Sequence, residues 1–261
     1  MREPDLTAQT DDLPAVAAAI LARLRTRAPR VHCLTNAVAQ SFTANVLLAA
    51  GAIPSMTIAT DEIGAFVARA DALLVNLGTF DPQRREAAGI AIAQARQSGM
   101  PWVLDPVFIE RSPGRAAFAR ELAARKPAAM RLNVMEFSTL TGGDGTRDAL
   151  MRYARENDCV LALTGPVDLI ADGRSVIEIA NGHPFMAQVT AMGDAASALL
   201  TACLAVEPDA LRASAAAMLA FAVAGEIAAE TARGPGSFAV NIIDALHGLD
   251  AAALRTKARV T

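Results

Sequence analysis

The stretch DALLVNLGTFDPQRREAAGIAIAQARQSGMPWVLDPV, residues 71–107, places a longer mixed segment between two short apolar ones. The apolar segments are continuous rather than alternating, which is typical of parallel strands covered on both faces by helices. The segment between them has a helical pattern that ends at Gly99, a residue that commonly terminates helices. This stretch therefore predicts a strand–helix–strand unit of a mostly parallel sheet.

The same alternation extends over most of the chain. Asp12 is a candidate N-cap of an Ala-rich helix that ends near Arg27, and Gly51 ends the next helix. Further strands are predicted at residues 30–36, 128–133 and 158–165. Asp172-Gly173 separates two alternating segments, which indicates a hairpin and an antiparallel part of the sheet. The last 70 residues are nearly all helical in pattern.

Length and composition predict the size and class of the protein. The chain has 261 residues, of which 53% are hydrophobic and 4% aromatic, with a mean hydropathy of +0.30. We expect a single α/β domain over residues 1–261, in which residues 1–11 form a loose extension. A core of small aliphatic side chains leaves apolar surface for contacts between subunits.

Charge and cysteine usage exclude several classes of function. The net charge is −3 and the arginines are scattered, which argues against nucleic-acid binding. The three cysteines lie far apart in apolar stretches, as buried thiols in a reducing compartment do. Neither a signal peptide nor an apolar run of membrane-spanning length is evident, so we expect no membrane association and a cytoplasmic location.

Polar residues follow several predicted strands. In an open α/β sheet, ligands bind beyond the carboxyl ends of parallel strands. These ends carry Asn76, Asp105, Arg131 with Asn133, Glu136 one turn further on, and Thr164. Any one of these residues is more often structural than catalytic, but together they predict a polar rim with a chemical role.

The segment VTAMGDAAS, residues 189–197, places one carboxylate where an apolar helix begins. The chain lacks the common glycine-rich phosphate-binding loops. A turn at Ala191, Met192 and Gly193 leads into a helix that begins near Asp194, and the N–H groups at such a helix start can bind a phosphoryl group. Asp194 is also readable as a simple helix cap without chemistry.

Nine separated motifs, from about residue 12 to the C-terminus, resemble in sequence and order the hydroxyethylthiazole kinases of thiamine salvage, which belong to the ribokinase-like group. They are VHCLTN, GAIPSMT, ADALLVNLGT, VLDPV, RLNVMEF, LTGPVDLIADG, IANGHP, VTAMGDAASAL and ARGPGSFAVNIIDAL. The resemblance implies a three-layer ribokinase-like fold. It also implies phosphorylation of the primary alcohol of 4-methyl-5-(2-hydroxyethyl)thiazole by ATP and Mg²⁺, in a homotrimer with active sites between subunits.

The resemblance also implies roles for individual residues. Met56 and Asn36 match positions that contact the thiazole. Arg131 and Thr164 match ATP contacts, and a guanidinium suits bidentate phosphate binding. Asn133 is also placed among the ATP-binding residues, as one that orients its neighbours and is not itself a metal ligand.

The remaining implied roles concern the metal and the chemistry. Asp105 and Glu136 resemble the acidic pair that supports Mg²⁺ directly or through water, and one or two carboxylates suffice for this ion. In the ribokinase-like pattern, an aspartate at the position of Asp194 is the base that accepts the alcohol proton. The backbone at Ala191, Met192 and Gly193 is expected to form the anion hole and to contact the substrate. No histidine is assigned to catalysis.

Two departures from the family pattern stand out. Many members have Gly-Thr-Gly-Cys where this chain has Ala191-Met192-Gly193-Asp194. Since a positive φ at alanine costs about 1 kcal/mol, we expect ordinary backbone angles at Ala191. A Gly/Ala-rich loop is usual where this chain has Phe108 to Ser112, and the added bulk could reshape the nucleotide side.

Two alternatives remain open at this point. One is a kinase for another small alcohol, such as hydroxymethylpyrimidine or pyridoxal. The other is a non-catalytic sensor of thiazole or nucleotide, against which the presence of Asp105, Glu136, Arg131 and Asp194 argues.

Overall fold

Eight strands form one continuous sheet in the computed structural model, which describes residues 13–261. They are β1 (Arg30–Leu34), β2 (Ile53–Ser55), β3 (Ala72–Asn76), β4 (Trp102–Asp105), β5 (Ala129–Asn133), β6 (Val160–Thr164), β7 (Asp168–Ala171) and β8 (Val176–Ile179). The order in the sheet is β2-β1-β3-β4-β5-β6-β7-β8. Strands β1 to β6 pair in parallel, and β7 and β8 add an antiparallel hairpin.

Helices cover both faces of this sheet. They are α1 (Leu13–Arg27), α2 (Gln40–Ala50), α3 (Ile63–Val67), α4 (Pro82–Gln97), α5 (Pro113–Ala123), α6 (Val134–Thr141), α7 (Arg147–Asn157), α8 (Met192–Leu204), α9 (Ala210–Thr231), α10 (Pro235–Gly248) and α11 (Ala251–Lys257). One core contains buried residues of α1, α2 and α8 to α11, and the other contains those of α3 to α7. The predicted three-layer fold with an antiparallel hairpin is confirmed.

Alternation of side chains along each strand produces the two cores. In β3, Leu74 belongs to the core under α8 and α9, whereas Leu73 and Val75 belong to the core under α4. Both sets are fully or almost fully buried, so the strand is apolar from Ala72 to Val75 and ends on the polar residue Asn76. Because the two cores share one sheet, we infer that residues 13–261 form one domain.

Local signals in the sequence account for several helix ends. Asp81 caps α4 by accepting a hydrogen bond from the Arg84 N–H at 2.8 Å, and Pro82 occupies the first helical position. Gly51 ends α2 with a φ of 96°, a conformation that glycine adopts without strain. The proposed cap Asp12 and the extension at residues 1–11 lie outside the described residues.

Helix α9 has the length and apolar composition of a membrane span. Its 22 residues include an 18-residue window with a mean hydropathy of 1.5, but 78% of that window is buried inside the protein. A helix that is apolar all round and packed on all sides is a core helix. Its hydrophobicity therefore reflects its position between the sheet and the outer helices.

A pair of methionine substitutions measures how much the core contributes to stability. Met130 in β5 is fully buried, whereas Met135 in α6 is 63% exposed. We expect Met130→Ala to lower the free energy of unfolding by about 2–5 kcal/mol, because it removes buried methylenes and leaves a cavity. The matched change Met135→Ala should cost less than about 0.5 kcal/mol. Denaturant unfolding of both variants checks this, and equal losses would contradict the assignment of the core.

Candidate active site

Asp194 lies in the first turn of α8 and faces the end of β1. Its Oδ1 accepts hydrogen bonds from Asn36 Nδ2 at 2.6 Å and from Thr35 Oγ1 at 3.2 Å. Thr35 and Asn36 directly follow β1 and are buried. The helix begins at Met192, so Asp194 is its third residue and does not form the N-cap.

These contacts orient the Asp194 carboxylate. Both side-chain hydrogen bonds go to Oδ1, which leaves Oδ2 available to accept a proton from another group. Burial raises the pKa of Asp194, while the hydrogen bonds from Thr35 and Asn36 and the charge of Arg131 act in the opposite direction. The side chain is therefore a better proton acceptor than a solvent-exposed aspartate.

The backbone at Ala191 differs from the sequence-based expectation. Its φ of 71° and ψ of 8° are left-handed, so the prediction of ordinary angles was wrong. The chain is extended at Val189 and must turn into α8 within two residues, and a left-handed residue makes this turn. The Ala191 carbonyl then accepts the N–H of Ala195 at 2.9 Å, which closes the first helical turn.

Arg131 packs against the start of α8. A Cβ atom on Gly193 would lie 2.6 Å from Arg131 Nη1, so a side chain here would force the guanidinium away from the helix. The other guanidinium nitrogen, Nη2, donates to Thr164 Oγ1 at 3.1 Å. The ends of β5 and β6 thus hold the positive charge of Arg131 beside the N-terminus of α8. The guanidinium and the helix N-terminus each favour an anion at this place.

Asp105 is fully buried behind Arg131. Its Oδ2 accepts hydrogen bonds from Asn76 Nδ2 and Ser197 Oγ, each at 2.8 Å. Its Oδ1 has no hydrogen-bond partner and lies 4.0 Å from Arg131 Nη1. Burial raises the pKa of Asp105 to about 7, Arg131 opposes this, and the nearby charge of Asp194 adds to it.

Glu136 has a different environment from Asp105. Its Oε2 accepts the Asn133 N–H at 2.9 Å, and its backbone N–H donates to Asn133 Oδ1 at 2.9 Å, which is a capping box at the start of α6. Its Oε1 accepts the N–H of Phe108 at 3.1 Å. Burial raises the pKa of Glu136, against these backbone hydrogen bonds. Glu136, which Asn133 orients, therefore holds the loop that follows β4.

That loop is the second departure from the family pattern. Phe108 has a φ of 56° and is 49% exposed, and residues Ile109–Arg111 form a short 3-10 helix. The Arg111 guanidinium lies 4.6 Å from the centre of the Phe108 ring, within the range of a cation–π contact.

A cavity of about 760 Å³ opens next to Arg131 and the start of α8. Arg131, Thr164, Gly165 and Gly193 supply its polar end, and Met186, Met218 and Phe221 are among its apolar lining residues. Its volume is within the range of small-molecule sites. Asp168 also lines it, accepts the Gly165 N–H at 3.0 Å and is buried, which raises its pKa to about 6.

The structure brings together most of the predicted site residues. Contacts of 4.0 Å or less join Asp194 to Asn36, Arg131 to Thr164 and Asp105, and Glu136 to Asn133. Met56 is half-buried, follows the edge strand β2 and does not line the 760 Å³ cavity.

The sequence analysis missed Thr35 and Ser197, which bind the two central carboxylates. Thr35 precedes Asn36, and Ser197 lies three residues after Asp194 on the same helix face, so their positions could have marked them as candidates, although the spacing does not show which carboxylate each one binds. No group of three or more His, Cys, Asp or Glu residues within residues 13–261 has the arrangement of a metal-binding cluster.

Comparison with known proteins shows the family of the chain. The model of the hydroxyethylthiazole kinase family matches residues 21–252 of the chain. The chain belongs to this family. It is 44% identical over 246 residues to a probable hydroxyethylthiazole kinase of Agrobacterium fabrum, covering 94% of this chain and 95% of that protein.

Solved structures show the same relationship for this kinase. The hydroxyethylthiazole kinase of Pyrococcus horikoshii OT3 superposes with a TM-score of 0.91 at 36% identity, covering 95% of this chain and 98% of that one. A ribokinase-like superfamily protein of Enterococcus faecalis has a TM-score of 0.69 at 15% identity, with 85% and 88% of the two chains covered. The second match shows that the fold is ribokinase-like.

The left-handed backbone at Ala191 leads to a stability prediction. Because glycine adopts a positive φ without a Cβ clash, we expect Ala191→Gly to raise the free energy of unfolding by about 0.5–1 kcal/mol. The matched change Ala205→Gly, at a position with a φ of −67°, should lower it by a similar amount. Thermal and denaturant unfolding measure both. A loss of stability in Ala191→Gly would show that the left-handed conformation carries no strain.

Proposed function

We propose that this kinase transfers the γ-phosphoryl group of ATP to the primary alcohol of 4-methyl-5-(2-hydroxyethyl)thiazole, as in thiamine salvage. The observation that carries the proposal is the Asp194 carboxylate. It is held through one oxygen by Thr35 and Asn36, in the first turn of a helix whose N-terminus packs against Arg131. Family membership supports the identity of the acceptor alcohol.

In this mechanism Asp194 is the catalytic base. Its Oδ2 accepts the hydroxyl proton as the alcohol oxygen attacks the γ-phosphorus, and the bond from that phosphorus to the bridging oxygen of ADP breaks. Thr35 and Asn36 keep the carboxylate oriented through Oδ1. General base catalysis of this kind contributes about 100-fold to 10,000-fold in rate.

The start of α8 stabilises the charge of the phosphoryl group in transfer. The first N–H groups of a helix have no intrahelical acceptor and carry the positive end of the dipole. The backbone of Ala191, Met192 and Gly193 would therefore form the anion hole, and the Arg131 guanidinium would bind phosphate oxygens from the side of β5.

The 760 Å³ cavity is the proposed nucleotide site. Arg131 and Thr164 lie at its polar end, as expected for residues that contact the phosphates. The apolar wall that includes Met186, Met218 and Phe221 suits the adenine ring. Asn133 does not line this cavity. Its side chain caps α6 and orients Glu136, so its role here is indirect.

The carboxylates behind Arg131 fit Mg²⁺. Asp105 Oδ1 is a buried carboxylate oxygen without a hydrogen-bond partner, and oxygen ligands are those this ion prefers. Asp105 would hold the ion, and Glu136 would support it through water, because both its oxygens already accept backbone N–H groups. The bound ion would neutralise negative charge on the phosphates.

The proposed assembly is a homotrimer in the cytoplasm, with the active site between subunits. Three exposed large apolar residues lie around the edge strand β2: Ile53 within it, Leu48 in the helix that precedes it, and Phe66 beside His32 of the adjacent strand β1. Burying such side chains against another subunit is favourable. Because Met56 directly follows β2, a subunit that docks there would complete the pocket of the alcohol. Cys33, Cys159 and Cys203 are buried and unpaired, as suits a reducing compartment.

A panel of acceptors tests this function. ADP release is measured with Mg-ATP and, separately, the thiazole alcohol, hydroxymethylpyrimidine and pyridoxal. We expect the highest kcat/KM with the thiazole alcohol. Turnover with hydroxymethylpyrimidine or pyridoxal alone would establish a different alcohol kinase, and binding without any turnover would establish a sensor.

Substitution of Asp194 tests the proposed base. We expect Asp194→Asn to lower kcat by about 100-fold to 10,000-fold, because the amide cannot accept the proton. Nucleotide affinity should survive, since Asp194 does not line the cavity. The matched change Asp148→Asn, on the exposed face of α7, should leave both unchanged. An unimpaired Asp194→Asn enzyme would refute the role.

The pH profile gives an independent check of the same base. Only the ionised carboxylate accepts the proton, and burial raises the pKa of Asp194, so kcat/KM should fall as the pH decreases through that raised pKa. The slope should approach about tenfold per pH unit. The residual activity of Asp194→Asn should lose this dependence.

A further inference from the structure

His32 is a buried polar residue with no role in the mechanism above. It lies in β1 with no exposed surface, and its ring bridges two residues of the neighbouring edge strand region. Its Nδ1 lies 2.8 Å from Ser55 Oγ, and its Nε2 lies 3.1 Å from the carbonyl oxygen of Thr57. Ser55 and Thr57 are the residues on either side of Met56.

The partners of His32 determine its protonation. A carbonyl oxygen can only accept, so Nε2 carries the hydrogen that is donated to Thr57. Burial lowers the pKa of His32, against the Thr57 hydrogen bond and the charge of Glu62, so the ring is neutral. Nδ1 therefore accepts the Ser55 hydroxyl, and both ring nitrogens are satisfied.

The same strand also holds the proposed base. Thr35 and Asn36, which bind Asp194, follow His32 by only three and four residues. At about 3.3 Å per residue, the two sets of contacts are roughly 10–13 Å apart along β1. Strand β1 thus connects the segment around Met56 with the carboxylate that would activate the alcohol.

We propose that His32 is a positioning residue that fixes Met56 relative to Asp194 and so sets the affinity for the acceptor alcohol. Its two hydrogen bonds hold the chain before and after Met56. Strand β2 ends at Ser55, so pairing within the sheet does not hold this part of the chain. This inference rests on the proposed function, in which Met56 contacts the alcohol. His32 itself does not touch the reacting atoms.

Two substitutions of His32 test its hydrogen bonds. Leucine fills the space without hydrogen bonds, whereas glutamine can still donate to the Thr57 carbonyl. We expect His32→Leu to raise KM for the acceptor alcohol about tenfold, the usual effect of one net hydrogen bond, with kcat and KM for ATP within about twofold of wild type. His32→Gln should recover most of the loss.

Two further variants keep the test independent of folding. Ser55→Ala removes one contact without altering the buried ring, and it should raise KM for the alcohol by a few fold. Cys33→Ala changes the neighbouring residue of β1, whose side chain points to the other face of the sheet, and it should leave KM unchanged. Thermal unfolding of each variant confirms that it is folded.

The outcomes distinguish this inference from the proposed function. If folded His32→Leu and Ser55→Ala both keep the wild-type KM for the alcohol, or if KM for ATP changes equally, the positioning role is wrong. If wild-type enzyme phosphorylates none of the alcohols tested, the proposed function fails first, and this inference fails with it. If His32→Gln raises the KM for the alcohol as much as His32→Leu does, the effect comes from packing rather than hydrogen bonding. That result would also refute the positioning role.

Discussion

The positive charge of Arg131 is the interaction on which the rest of the site depends. The charge of this one guanidinium acts against burial at four carboxyl groups, Asp105, Glu136, Asp168 and Asp194: burial raises the pKa of each, and Arg131 opposes the rise. It can do so because it comes from a central strand and reaches the rim where all four residues lie. The absence of a side chain at Gly193 gives it the space to approach the helix.

Burying these carboxyl groups around one guanidinium lowers the free energy of unfolding at a pH where they are ionised. A carboxyl whose pKa is raised on folding binds its proton more tightly in the folded state than in the unfolded state. For Asp105 the favourable contribution is complete below the unfolded value of 3.8 and is lost as the pH rises to about 7. As the pH rises past about 7, the fold therefore holds a charge on Asp105 that burial disfavours, and Arg131, Asn76 and Ser197 compensate for it.

The fold supplies this compensation through its topology. Parallel strands β1, β3, β4, β5 and β6 all end at one edge, and their last residues or the next ones include Thr35, Asn76, Asp105, Asn133 and Thr164. Helix α8 meets this edge with its N-terminus, so Asp194 and Ser197 reach residues from different strands. Strand β1 contributes twice, through Thr35 and Asn36 at its end and through His32 within it.

The sequence by itself determined the fold class, because continuous apolar strands and helix ends at Gly51 and Gly99 are local signals that tertiary contacts did not override. It also predicted Asp194, Arg131, Thr164 and Asp105 as candidate site residues, by their motifs and by their place at strand ends or a helix start. The partners of these residues are distant in the chain, and only the tertiary structure decided them: Ser197 on Asp105 and Thr35 on Asp194. The same holds for Ala191, since propensity disfavours a left-handed alanine but the turn into a packed helix requires one.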